Sequence, residues 1–223
     1  MVLVLAHSAS GQAASRLNLS IPGAGPYSVP VVSFQARKFL TTVHQRYDYS
    51  CGSAAVATLL DYQYHAHITE AQAFQWMWTH GNRAKIKAQG FSMLDMKHYL
   101  ATLGFSSNGY IAPLTKLEDA RVPAIVLISQ NGYHHFVVVK GIEGGRVLLG
   151  DPSAGTRAVS RQEFRKIWIR HLLFVITAPA AKPVFNGRLD WSMEPQAPLG
   201  PAVDSGSLDQ LMLLRPGPDQ YQF

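Results

Sequence analysis

Apolar residues recur in two different rhythms along this chain. Between residues 51 and 104 they return at intervals of three and four, and between 123 and 177 they crowd into short runs bounded by turn formers. The first region predicts three helices. Residues 51 to about 62 open on Gly52, Ser53, Ala54 and Ala55, with Val56, Leu59 and Leu60 as an apolar stripe. Thr69 is placed to cap a second helix carrying Ala73, Phe74 and Met77. Ser92 with Asp95 resembles a capping box, Asp replacing the usual Glu, and starts a third helix through Leu94, Tyr99 and Leu100 to Gly104. The second region predicts strands over residues 123–129, 135–139, 146–150 and 172–177, with a short helix at 161–168 among them. Helices first and strands second predict an α+β fold, an N-terminal helical half packed against a C-terminal antiparallel sheet with a cleft between.

The flanks follow neither rhythm. Residues 1–35 form a lead-in broken by Pro22, Gly23, Gly25, Pro26 and Pro30. Its first residues read as the remnant of an export signal, an apolar run at 2–6 followed by Ala13, Ala14 and Ser15. That run is shorter than the usual core of about 7–15 residues and lacks a basic stretch before it, as a mis-assigned start would leave it. A frayed apolar terminus is the plainer alternative. Residues 179–223 hold seven of the 13 prolines without sustained periodicity and read as a disordered tail outside the core. Residues 36–178 remain as one compact domain, and no run approaches the roughly 18 apolar residues of a spanning helix.

Composition narrows the function. Apolar residues make up 47% and charged residues 15%, which suits a buried core. The net charge of +6 is scattered, apart from one basic patch at Arg83, Lys85 and Lys87. A nucleic-acid binder would show a denser basic stripe interleaved with aromatics, so no nucleic-acid partner is expected. The patch reads as a solvated face, with steering toward an anionic partner or membrane surface as its alternative use. No glycine-rich phosphate loop appears, so no nucleotide is expected. The pair His65 and His67 lacks a third ligand at useful spacing, so no metal is expected either. Trp76 and Trp78 read as core or cleft lining.

Candidate chemistry starts from the single cysteine, Cys51, which excludes an intrachain disulfide. At the first turn of a helix its sulfur meets unpaired backbone N–H groups and the positive end of the helix dipole, which favour a thiolate. Taken alone, such a cysteine is more often a small core residue. His135 opens a strand that turns near Glu143, Gly144 and Gly145, and the return strand ends at Asp151 and Pro152. Pairing across that hairpin sets Asp151 opposite residue 136 or 137, diagonal to His135, where a carboxylate can hold one imidazole tautomer. By itself Asp-Pro is an ordinary turn start. Gln45, six residues before Cys51, can donate its amide to an oxyanion beside the Cys51 N–H. His134 competes with His135, but alternation along a strand sends the two to opposite faces.

The order Gln45, Cys51-Gly52, His135-Phe136-Val137-Val138, Asp151-Pro152 resembles the C39 family of papain-fold cysteine peptidases, over residues 43 to 177. Residues 90–97 and 123–127 share in the likeness. The stretch 47–60 is similar to stand-alone members encoded with bacterial functional-amyloid secretion systems. The resemblance implies a papain-like fold and a cysteine endopeptidase, with Cys51 as nucleophile, His135 as base, Asp151 as its orienter, Gln45 at the oxyanion hole and no cofactor. It also implies a periplasmic or otherwise exported location and a polypeptide substrate, a secreted amyloid or leader-bearing protein. Ser50 departs from the Asp of bacteriocin-exporter members, and no transporter segments accompany the domain, so a double-glycine leader is not the expected substrate. A transferase or amidase using the same triad, or a domain that binds polypeptides without cutting them, remains the alternative.

Overall fold

The computed structural model describes residues 15–21, 25–130, 132–178 and 182–194. The expected signal remnant at 1–14 and the tail beyond 194 lie outside them. Strands β1 (Ser15–Ile21) and β2 (Gly25–Val31) pair antiparallel, Ser15 opposite Val31, in a lead-in where no strand was expected. A short helix α1 (Phe34–Lys38) follows, capped by the Ser33 side chain.

The helical half comes next. Helix α2 (Cys51–Thr58) is buried at all eight positions and runs on through a π turn at Leu59–Gln63. Its small residues bring it into close contact on every side, so burial is all-round where a single stripe was expected. A Cβ on Gly52 would stand 2.9 Å from the Phe91 Cβ, which explains the glycine beside the cysteine. Helix α3 (Glu70–His80) begins at a full capping box of Thr69 and Gln72. Helix α4 (Arg83–Gln89) is capped by the Asn82 side chain. Helix α5 (Met93–Thr102) starts at the Ser92–Asp95 box as its sequence predicts.

The sheet half contains β3 (Ser107–Ile111), helix α6 (Thr115–Ala120), β4 (Ala124–Gln130), β5 (Tyr133–Glu143), β6 (Arg146–Asp151), β7 (Gly155–Ser160), helix α7 (Arg161–Ile167) and β8 (Trp168–Ile176). The order across the sheet is β3-β8-β4-β5-β6-β7, with every neighbouring pair antiparallel. Alternation sorts its side chains into two cores. Ile125, Phe136, Val138 and Phe174 pack with α2, α3 and α5, whereas Val126, Val137, Val139 and Leu173 face Leu117 of α6 and Phe164 of α7. The hairpin β5–β6 closes at Gly144 and Gly145, both at positive φ (56° and 74°), as a tight two-residue turn requires. That register puts Gly150 opposite Val138, hence Asp151 level with Val137.

One boundary differs from expectation. Residues 182–194, which the proline content assigns to the tail, fold back on the domain and end in helix α8 (Arg188–Ser192). Strand β5 carries a bulge between Val139 and Gly141. Asn186 fills the backbone gap there, its N–H donating to the Lys140 carbonyl and its side chain bonding both N–H and C=O of Ile142. The bulged Lys140 points inward and is fully buried, with its ammonium on the Asp190 carboxylate and on the Thr41 carbonyl and hydroxyl. A polar anchor, invisible to an apolar-periodicity search, is what fixes this segment.

Candidate active site

The loop before α2 is shaped by one hydroxyl. Ser50 Oγ accepts from the N–H groups of Arg46 and Tyr47 and donates to the Tyr47 carbonyl. Ser53 Oγ donates to the buried Glu70, whose other oxygen meets Arg46 at 3.2 Å. Cys51 is thereby set at the first position of α2, where the leading N–H groups of a helix lack intrahelical acceptors. Its backbone and side chain are together 4% exposed, but the sulfur-bearing residue lines a cavity of about 770 Å³. It belongs to the buried apolar cluster around α2 and borders that cavity.

His135 reaches this point from the sheet, on β5 opposite Ile128 of β4. Its Nε2 lies 2.8 Å from Asp151 Oδ1. A carboxylate only accepts, so Nε2 is the donor, and Nδ1 is left to take a proton when the ring is neutral. Nδ1 is buried without a hydrogen bond of ordinary geometry, and Cys51 is close enough to act on the ring. Such contacts are often long before substrate binds. His134, by contrast, is exposed on the cavity wall.

Asp151 is held from every side. Oδ1 also accepts from Ser153 N–H (3.0 Å), Ser153 Oγ (2.7 Å) and the Ala154 N–H (3.3 Å). Arg157 forks onto Oδ2 through Nε (3.1 Å) and Nη2 (3.0 Å). The Asp-Pro turn and the grip on the imidazole are therefore one structure. Burial pushes the Asp151 carboxyl up, but His135, Ser153 and Arg157 together hold it well below the carboxylate range. Burial pulls the His135 imidazole down, and the hydrogen bonds and charges of Asp151 and Cys51 outweigh it, raising the ring from 6.5 to about 9.

These shifts predict a pH signature. The raised His135 stabilises the fold fully below pH 6.5, and that contribution is lost as pH rises through 9. The depressed Asp151 contributes above its ordinary 3.8 and is lost on acidification. Thermal midpoints are expected to fall from pH 6.5 to 9, and His135→Gln should flatten that limb. An equal slope in both proteins would contradict the assigned shift.

Two parts of the site depart from sequence expectation. Gln45 does not line the cavity that holds Cys51. Its Nε2 donates to the Tyr47 carbonyl at 3.1 Å, while its backbone N–H bonds the Pro152 carbonyl at 3.0 Å, beside Asp151. A second cavity of about 580 Å³ is lined by Gln45, His135 and Arg157. Between the cavities stands Tyr133, whose hydroxyl donates to the Asp48 carbonyl at 2.5 Å, and these two residues line both. Neither this crossbar nor Arg157 was anticipated. Arg157 lies opposite Leu149 on β7, diagonal to Asp151, so recognising a strand after the Asp-Pro turn would have revealed it. His67 sits 3.5 Å from Asp61, and Trp76 stacks on His80.

Helices on one side, an antiparallel sheet on the other and a cysteine meeting a histidine between them are the architecture of the papain-like cysteine peptidases. The Peptidase C39 family model matches residues 40–180. The chain is 39% identical over 166 residues to "Probable functional amyloid protease FapD" of Pseudomonas aeruginosa, covering 74% of each. It is 38% identical over 150 residues to the protein of the same name from Pseudomonas fluorescens, covering 67% of this chain and 66% of that one. Among solved structures, the peptidase domain of Streptococcus ComA, a bifunctional ABC transporter, aligns with TM-score 0.53 at 22% identity, over 61% of this chain and 97% of that one. The double-glycine-motif protease of an AMS/PCAT transporter, solved with a leader peptide, aligns with TM-score 0.50 at 22% identity, over 60% and 88%. The chain belongs to the peptidase C39 family and is a cysteine peptidase. No helix among the described residues is long and apolar enough to cross a membrane.

Proposed function

We propose that this peptidase cuts secreted or envelope polypeptides by nucleophilic attack of Cys51. The observation that carries this reading is the division of labour on His135. Nε2 is fixed by buried Asp151, and Nδ1 is buried, unclaimed by Asp151 and beside the only thiol. Nδ1 holds the proton taken from the Cys51 thiol while sulfur bonds the substrate carbonyl carbon, and gives it to the amine as the C–N bond breaks. Water then attacks the thioester, passing one proton through His135 back to sulfur and releasing the new carboxylic acid. The oxyanion is held by the Cys51 N–H and by the Gln45 amide, once that amide leaves the Tyr47 carbonyl. The tie from Gln45 to Pro152 supports this, because it couples the amide's loop to the turn that carries Asp151.

The relatives named as functional amyloid proteases favour a secreted amyloid protein or its secretion partners as substrate, and an exported, periplasmic location. No cofactor takes part in the mechanism. The test compares envelope proteins from cells carrying the intact protein or Cys51→Ala. A substrate that stays full length only with Cys51→Ala is the expected result. Identical processing in both would leave a polypeptide-binding role in its place.

A further inference from the structure

Helix α4 brings a cation to the wall of the Cys51 cavity and a second one close behind it. Lys87 lines it, from helix α4, whose sequence RAKIKAQ contains no acidic residue. Arg83, one turn earlier on the same helix face, and Lys87 both lie over the Trp78 ring, each 5.9 Å from its centroid. Arg83 is held further by its Nε on the Trp78 carbonyl at 3.3 Å. Trp78 in turn stacks on Phe74 and on Tyr49, and Tyr49 lines the cavity. Two cations are thus mounted on an aromatic wall continuous with the cleft. Neither makes an ion pair among the described residues, although both are exposed.

Two nearby acidic groups are engaged elsewhere. Asp95 is engaged by the Ser92 N–H and hydroxyl, and Glu70 by Ser53 and Arg46. Asp48 is the one carboxylate residue on the cavity wall, where it stands against Lys87 and leaves Arg83 as the cation in excess. A low-dielectric cleft wall focuses such a field and strengthens it relative to open surface.

We propose that Arg83 and Lys87 dock an acidic side chain of the substrate, on the N-terminal side of the bond that is cut. The polarity rests on the peptidase reading above. The leaving amine takes its proton from His135, so the C-terminal product lies in the second cavity, with Gln45, His135 and Arg157. The acyl half stays on sulfur, and the chain leading into it crosses the first cavity toward α4.

Binding is tested on the intact Cys51→Ala chain with labelled synthetic peptides of one unstructured frame, carrying Glu, Gln or Lys at one position. At low ionic strength the Glu peptide should bind about tenfold more tightly than the Lys peptide, a preference that shrinks as salt screens it. Arg83→Gln with Lys87→Gln should erase the difference, and Arg83→Glu with Lys87→Glu should reverse it. Lys87→Gln alone serves if a double variant melts early. Equal affinities, a preference that survives Lys87→Gln unchanged, or no binding by any of the peptides would overturn the docking site. Cleavage is read separately with the intact cysteine. A Glu preference in binding without cleavage would sink the peptidase chemistry and leave the acidic docking standing.

Discussion

His135→Ala is expected to abolish measurable peptide cleavage and to slow alkylation of Cys51 at pH 6 by roughly 100-fold. An isolated thiol of pKa about 8.5 is overwhelmingly protonated at that pH, and only the thiolate reacts. With His135 present, the ring's capacity to hold a proton to about pH 9 keeps a cation beside the sulfur across the neutral range. Removing it takes away both that charge and the proton donor for the leaving amine, so chemistry and labelling should fail together. His134→Ala is the control, because that ring stands exposed on the cavity wall and makes no bond to Asp151. Alkylation unaltered by His135→Ala, measured with iodoacetamide by intact mass, would show that the imidazole does not serve this sulfur.

The second large effect concerns stability. Asp190→Ala is expected to destabilise the fold by about 3–5 kcal/mol, because it strands the Lys140 ammonium, fully buried, without its counter-ion. Burial alone already disfavours that charge, and Asp190 is what opposes it. Replacing both partners, Lys140→Met with Asp190→Leu, should recover most of the loss, since a matched apolar pair leaves no charge to desolvate. Urea denaturation midpoints measure both. An Asp190→Ala midpoint equal to the parent's would mean that the segment bearing Asp190 is not docked in solution.

Much of the fold could be read from local chemistry. Thr69 and Ser92 announced their helices because an N-cap is a contact between neighbours in sequence. Gly144 and Gly145 announced the turn because few other residues tolerate two successive positive φ angles. That turn set the register, and the register put Asp151 within reach of His135. What stayed hidden depends on distant partners. Helix α4 has one buried side chain, Ile86, in seven residues, so its basic positions read as surface and not as cleft rim. Strand β3, with only Ser107 buried, shows no alternating apolar signal. Arg157 acts across a strand boundary that composition blurred, and the Tyr133 crossbar joins residues 85 apart in sequence. The Gln45 amide is a different case. Its position was legible, but its engagement with the Tyr47 carbonyl is a conformational state that no sequence pattern encodes.

The inward lysine of β5 also separates two lengths that are easily conflated. The family match closes at residue 180, after the last strand, and the residues proposed to cut the bond lie inside it. Yet the anion that neutralises the core is supplied ten residues further on. A fragment trimmed to the family's outline would keep Cys51, His135 and Asp151 and lose the carboxylate that pairs with Lys140. For this chain the family's outline is shorter than the piece that its buried ion pair ties together.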